Sequence, residues 1–172
     1  MDIKIANLSL GQHVFDFLEK VEDIELNEPF YGKISTKVTL NKLSDQIIAD
    51  VSSDLSAEFE CDRCTCKFEN KITSNYQMIY MMRNDESESD DINVTFINRE
   101  TDKISLDNDV REFAILAIPM KKLCKEDCKG LCPRCGVDLN FEECKCQKDE
   151  INPVWLPLIE NKDKLNNKKR NR

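Results

Sequence analysis

The chain has 172 residues, a formal net charge of −8, 40% hydrophobic and 34% charged residues. That length suits one domain of ordinary size with a modest core, and the charge excludes a protein that coats nucleic acid indiscriminately. The charge is uneven: the last twelve residues, NKDKLNNKKRNR, carry about +5, which leaves about −13 for the rest. Such a tail reads either as a solvated, disordered terminus or as a phosphate contact made by Lys168, Lys169, Arg170 and Arg172. The opening, MDIKIANLSLGQ, lacks the basic and apolar regions of a secretory signal, and FAILAIPM is far too short to span a bilayer. A cytoplasmic protein is expected, in a compartment that keeps thiols reduced.

In chain order, GQHVFDFLEK at 11–20 reads as a short helix. Ile34, Thr36, Val38 and Leu40 mark a strand. The clearest periodicity follows: Ile47, Ala49, Val51, Ser53, Leu55, Ala57, Phe59 and Cys61 share one parity, while Asp50, Ser52, Asp54, Ser56, Glu58 and Glu60 take the other. That alternation predicts one long strand over 47–61 with a core face and a water face, bent or broken near Ser53. Cys66, Phe68, Ile72, Tyr76, Met78 and Tyr80 predict a second arm, joined to the first by a hairpin tip, CDRCTC. The acidic run at 84–91 reads as a solvated loop, with short strands at 92–97 and 103–106. DNDVREFAILAIPM predicts a helix near 108–118. Asp107 or Asp109 would cap it, Asp109 and Glu112 have capping-box spacing, and Pro119 stops it. INPVWLPLI reads as an apolar strap packing on the body.

The predicted architecture is α+β: a mainly antiparallel sheet, in one variant a partly closed barrel, with one main helix and a cysteine-rich zinc-knuckle appendage. Residues 1–120 form the sheet domain with a knuckle at 61–66, residues 121–160 a metal-binding segment packing on it, and 161–172 a basic tail.

The nine cysteines carry most of the chemical information. Six fall within the 23 residues from Cys124 to Cys146, and the chain has a single histidine, His13. An odd number of thiols fits a closed disulfide framework badly and metal binding well. Cys61-x2-Cys64 and Cys132-x2-Cys135 each reverse the chain so that two sulfurs meet one ion. In CPRCG, Pro133 sets the reversal and Gly136 supplies the positive φ that turns backbone N–H groups toward sulfur. Cys144 and Cys146 complete a four-thiolate site with Cys132 and Cys135. Cys61, Cys64, Cys124 and Cys128 then form a second. This two-zinc assignment is favoured over a single zinc held by Cys61, Cys64, Cys132 and Cys135. Cys66 is left as a small buried apolar residue. Iron–sulfur ligation and a dithiol redox pair are weighed as rivals. Cys128-x3-Cys132-x2-Cys135 matches radical-SAM spacing, but the chain is too short for the barrel that chemistry uses.

The pieces ECDRC, LAIPMKKLCKEDCKGLCPRCGVDLN and CKC…INP resemble the YceD family, the large ribosomal RNA subunit accumulation proteins. Cys61 and Cys64 match its first motif, and Leu116, Ala117, Ile118 and Pro119 match the helix end. Cys124, Cys128, Gly130, Leu131, Cys132, Pro133, Cys135, Gly136, Leu139, Asn140, Cys144 and Cys146 match the later segment. The resemblance spans roughly 30–156. One departure is Asn152-Pro153-Val154, where the family commonly has Asp-Pro-Arg. The resemblance implies a bacterial cytoplasmic, non-enzymatic protein that supports 23S ribosomal RNA accumulation and large-subunit biogenesis.

Three functional classes are thereby set side by side. The first is a zinc-stabilised factor that binds pre-ribosomal RNA or a large-subunit ribosomal protein, with Lys129 and Arg134 at the knuckle and the basic tail as contacts. It needs no membrane and no small-molecule substrate. The second is an enzyme, such as a thiol oxidoreductase or nuclease; no Cys/His pairing, phosphate-cradling loop or carboxylate pair supports it. The third is a metal sensor or buffer using the same cysteines.

Overall fold

A computed structural model of the chain describes residues 1–83, 91, 93–146, 154, 157 and 158. It divides into two compact units, Met1–Cys128 and Lys129–Arg172. The acidic run at 84–90, the basic tail with Lys168, Lys169, Arg170 and Arg172, and most of INPVWLPLI lie outside the described residues. Of that strap, Val154, Pro157 and Leu158 are described, and all three are exposed.

The first unit is organised by a five-stranded sheet in the order β2-β3-β4-β5-β6. The strands are β2 (Gly11–Lys20), β3 (Phe30–Lys42), β4 (Gln46–Glu60), β5 (Lys67–Met82) and β6 (Val94–Ile97). The first four form an antiparallel meander, and β6 pairs with β5 in parallel. A separate antiparallel pair joins β1 (Asp2–Lys4) to β7 (Lys103–Ser105). The α-helix α1 covers Asp107–Leu116. Among the described residues the sheet is open, with no closed barrel, so the α+β reading holds without its barrel variant.

The alternation read from β4 and β5 is the alternation observed. Ile47, Ala49, Val51, Leu55, Ala57 and Phe59 of β4 are buried, with Ile72, Met78 and Tyr80 of β5 and Ile34, Val38 and Leu40 of β3. Against that face pack Ile3, Ile104, Leu106, the 3₁₀ turn Val21–Ile24, and Val110 and Ala114 of α1. Each such fully buried aliphatic side chain contributes roughly 1.5–3 kcal/mol. The opposite face carries the charged and hydroxyl side chains of the same strands, so among the described residues one side only of the sheet is covered.

Three local expectations fail, each for a physical reason. Ser53 does not break β4, which pairs with β5 residue by residue from Gln46 to Glu60. Thr36 Oγ1 lies 3.0 Å from Ser53 Oγ, and the Ser74 hydroxyl donates to the Phe113 carbonyl at 3.1 Å. Thr36, Ser53 and Ser74 are registered across three strands, so a polar row crosses the core with its hydroxyls satisfied. Residues 11–20 form strand β2, not a helix. Phe15 and Phe17 pack on the core, while Val14 and Leu18, on the water face, are 53% and 65% exposed. Val14, Phe15 and Leu18 therefore imitate helical spacing only because apolar residues lie on both faces of a strand. Neither Asp107 nor Asp109 caps α1: its N-cap is Leu106, with no side-chain cap. Asp109 instead accepts a hydrogen bond from the Tyr80 hydroxyl at 2.9 Å, tying the first turn of α1 to β5.

Candidate metal centres

The hairpin between β4 and β5 ends in a knuckle whose backbone is closed by two hydrogen bonds. Thr65 N–H donates to the Cys61 carbonyl at 2.9 Å, and Cys61 N–H donates to the Cys66 carbonyl at 2.9 Å. The closure requires a left-handed residue, and Thr65 takes it at φ 58°. Beyond α1 the chain returns to this tip. Asp62 N–H donates to the Lys122 carbonyl at 2.8 Å, Lys122 N–H donates to the Asp62 carboxylate at 2.6 Å, and the Lys122 ammonium lies over the Phe59 ring. Arg63 Nη1 donates to the Cys128 carbonyl at 2.5 Å. These contacts bring Cys124 and Cys128 onto the knuckle, with Phe68 and Leu123 packed against the sulfurs.

Cys61, Cys64, Cys124 and Cys128 consequently place their four sulfurs within 4.8 Å of one another. A metal about 2.3 Å from each of four tetrahedral sulfurs needs sulfur–sulfur separations of about 3.8 Å. Cys61 and Cys128 lie 3.8 Å apart, and Cys64 and Cys124 lie 3.6 Å apart. The donor set fits such an ion.

The second unit repeats the knuckle. Gly136 N–H donates to the Cys132 carbonyl at 2.9 Å and Cys132 N–H donates to the Val137 carbonyl at 2.8 Å. Gly136 takes φ 73°, as its place in CPRCG predicts. Around it the chain is held by turns, not by strands. Leu131 bridges Asp138, and Leu139 N–H reaches the Gly130 carbonyl at 2.9 Å. Asp138 Oδ1 accepts from Asn140 N–H at 2.8 Å and from Asn140 Nδ2 at 2.7 Å, while Asn140 Oδ1 accepts from Lys129 N–H at 2.9 Å. Cys132, Cys135, Cys144 and Cys146 also lie with all sulfurs within 4.8 Å. Cys144 is 3.2 Å from Cys132 and 3.7 Å from Cys135.

The two clusters also share their electrostatics. Burial opposes ionisation of Cys61, but N–H groups of Cys124, Arg63 and Cys64 outweigh it and bring the thiol down to about 6. N–H groups of Cys135 and Arg134, aided by the Cys144 thiol, bring Cys132 down to about 6. Their neighbours move the other way. Burial and adjacent thiols push Cys124 up to about 11, and Cys144 and Cys135 push Cys146 up to about 12. Four crowded sulfurs cannot all ionise without a cation to offset them. A divalent ion held by each tetrad would supply that charge, and the backbone N–H groups would offset what remains.

Every cysteine of the two expected tetrads is thus placed with its expected partners. Cys66 departs from expectation: it is exposed, not buried. Left-handed Thr65 intervenes before β5 begins at Lys67, so the strand parity does not reach back to it. Its sulfur instead lies 3.3 Å from that of Cys64. Asp138 and Asn140 are the residues that spacing arguments missed, although Asp-x-Asn just past a knuckle is a recognisable turn signal. His13 is engaged with the Ser9 carbonyl at 2.9 Å and takes no part in either cluster.

An open sheet with a main helix and two four-cysteine centres, among the described residues, defines a thiol-clustered α+β protein. Residues 49–160 match the family described as large ribosomal RNA subunit accumulation protein YceD, and the chain belongs to that family. It is 32% identical over 59 residues to the chloroplastic YCED homolog 1 of Arabidopsis thaliana, covering 34% of this chain and 18% of that protein. It is 37% identical over 57 residues to uncharacterized proteins of Mycobacterium bovis and Mycobacterium tuberculosis, covering 33% of this chain and 27% of each. The chain thus aligns with less than a third of the length of these relatives. No solved structure matches it. Among the described residues, no helix is long and apolar enough to cross a membrane.

Proposed function

We propose that this protein is a non-enzymatic factor supporting large-subunit ribosomal RNA accumulation, with zinc in both four-cysteine centres and a basic large-subunit protein as its partner. The observation that carries the reading is the pair of complete thiol tetrads in a member of this family. Four soft sulfur donors in tetrahedral reach suit zinc, and four protein ligands leave no open position for a substrate. When bound, the ion supplies charge and cross-linking, and its binding free energy, on the order of 10 kcal/mol, becomes folding free energy. The proposed partner follows from charge. A cavity of about 600 Å³ in the first unit is lined by Glu28, Glu58, Glu60 and Glu69, with Tyr31 and Lys67 beside them. Glutamates around an aromatic ring suit lysine and arginine side chains.

RNA is the second reading, favoured by exposed Lys129 and Arg134 at the second knuckle. Elemental analysis of protein purified without added metal tests the first half of the proposal, with two zinc ions per chain expected; iron with visible absorbance overturns it. Co-purification from cells, followed by salt titration of the captured complex, tests the second. A large-subunit protein whose capture weakens on Glu58→Lys and Glu69→Lys supports the partner. Capture of precursor RNA with a steep salt slope, near −0.7 for each single-strand phosphate contacted, replaces it.

A further inference from the structure

Cys66 remains unexplained by four-coordinate chemistry. It is the fifth thiol at the first centre and does not belong to its tetrad. Yet it is exposed, while Cys61, Cys64 and Cys128 are buried, and its sulfur touches that of Cys64 at 3.3 Å. The contact is built in: left-handed Thr65 and the hydrogen bond from Cys61 N–H to the Cys66 carbonyl fold the chain back so that residues 64 and 66 face one another. A buried ligand thiolate is shielded by its ion and by packing. A thiol outside the tetrad and open to solvent has neither shield.

We propose that Cys66 is an oxidant-reactive site that couples hydroperoxides to release of the ion at the first centre, through a Cys64–Cys66 disulfide. This rests on the metal assignment above. The chemistry balances in two steps. The Cys66 sulfur attacks the terminal peroxide oxygen; the S–O bond forms, the O–O bond breaks, and the departing hydroxide or alkoxide takes the thiol proton and leaves as water or alcohol. Cys66 is now a sulfenic acid. The Cys64 thiolate then attacks the Cys66 sulfur; the S–S bond forms, the S–O bond breaks, and the second oxygen leaves as hydroxide, which takes a proton from solvent. The two sulfurs lose two electrons, the peroxide gains them, and the ion stays divalent throughout. With Cys64 spent, three thiolates remain for the ion, and a competing chelator takes it. Thiol reductants reverse the step and restore the site.

The second centre has no equivalent. Val137 stands where Cys66 stands in the first knuckle, two residues after the second cysteine. The same protein therefore contains its own control.

The test uses the full chain with its native metal. Metal content is measured first, hydrogen peroxide is added with a chromogenic zinc chelator present, and the cysteines are then mapped by mass spectrometry without reduction. The expected result is release of one ion per chain, a product lighter by two hydrogens, and a Cys64–Cys66 link. Cys66→Ser, at an exposed position, should begin with the same metal content and release it roughly tenfold more slowly. Release at the unaltered rate from Cys66→Ser, or a disulfide joining other cysteines, overturns the proposal. Because metal is counted before oxidant is added, absence of metal counts against the zinc assignment, while the disulfide map still decides the role of Cys66.

Discussion

Thr65 and Gly136 occupy the same place in two copies of one turn, four residues after the first cysteine of a Cys-x2-Cys pair, and both are left-handed. Both turns lower the first thiol to about 6 with backbone N–H groups. Their surroundings differ. The first turn caps two long paired strands, and its other two cysteines arrive from beyond α1, clamped by Arg63 and the Asp62–Lys122 bonds. The second stands among turns; of its described residues only Gly130 and Cys132 are buried, and Phe141 is 87% exposed. One coordination motif can thus either reinforce a fold that already has a core or stand in for a core.

The largest expected difference between the two turns follows from withdrawing any bound metal. A strong chelator should abolish amide-exchange protection across 129–146, while β3, β4 and β5 stay protected. Uniform loss or uniform survival in hydrogen-exchange mass spectrometry contradicts it. Next in size are single ligand losses. Cys128→Ser and Cys144→Ser should each lower the metal count from two to one. Only Cys128→Ser should lower the melting temperature of the sheet unit, by about 5 °C or more.

Smaller still is Asp138→Ala, which removes both hydrogen bonds to Asn140, an expected cost of about 1–2 kcal/mol. Competition titration should find zinc affinity at the second centre reduced roughly tenfold, and at the first unchanged. Gly136→Ala and Thr65→Gly should move affinity in opposite directions at their own centres, each by up to about fivefold. Space is open around a Cβ at position 136, so the cost there is backbone conformation alone. The smallest effect is a control confined to the sheet unit. Burial, against the Tyr80 hydrogen bond and with help from Glu112, holds the Asp109 carboxyl above its usual 3.8. A carboxyl raised on folding contributes stability that is complete below its unfolded value and is lost as pH rises through the folded one. Asp109→Asn should flatten that slope in acid-range melting curves and leave both metal affinities untouched.

The sequence made the two tetrads legible because coordination needs specific donors at short spacings, and the long β4–β5 hairpin because a sheet covered on one face writes itself as alternation. It concealed features settled by contacts distant in the chain. The hydroxyl row of Thr36, Ser53 and Ser74 becomes comfortable only once three strands align. Strand β2 was masked by Val14 and Leu18 on its water face. Asp109 was diverted from capping by Tyr80 on another element. Cys66 was misplaced because strand parity does not survive a left-handed residue.

The separation in sequence between Cys64 and Cys124 sets a timetable for a nascent chain. The meander can pair once Met82 has been synthesised, but the first clamp must wait until Cys128 emerges, by which time the second knuckle is only a few peptide bonds away. During that interval Cys61 and Cys64 stand as half a claw, able to grasp ions without closing. On the proposed zinc assignment, supply of the ion during synthesis, not only in the mature cell, would govern how much of this protein reaches its finished form.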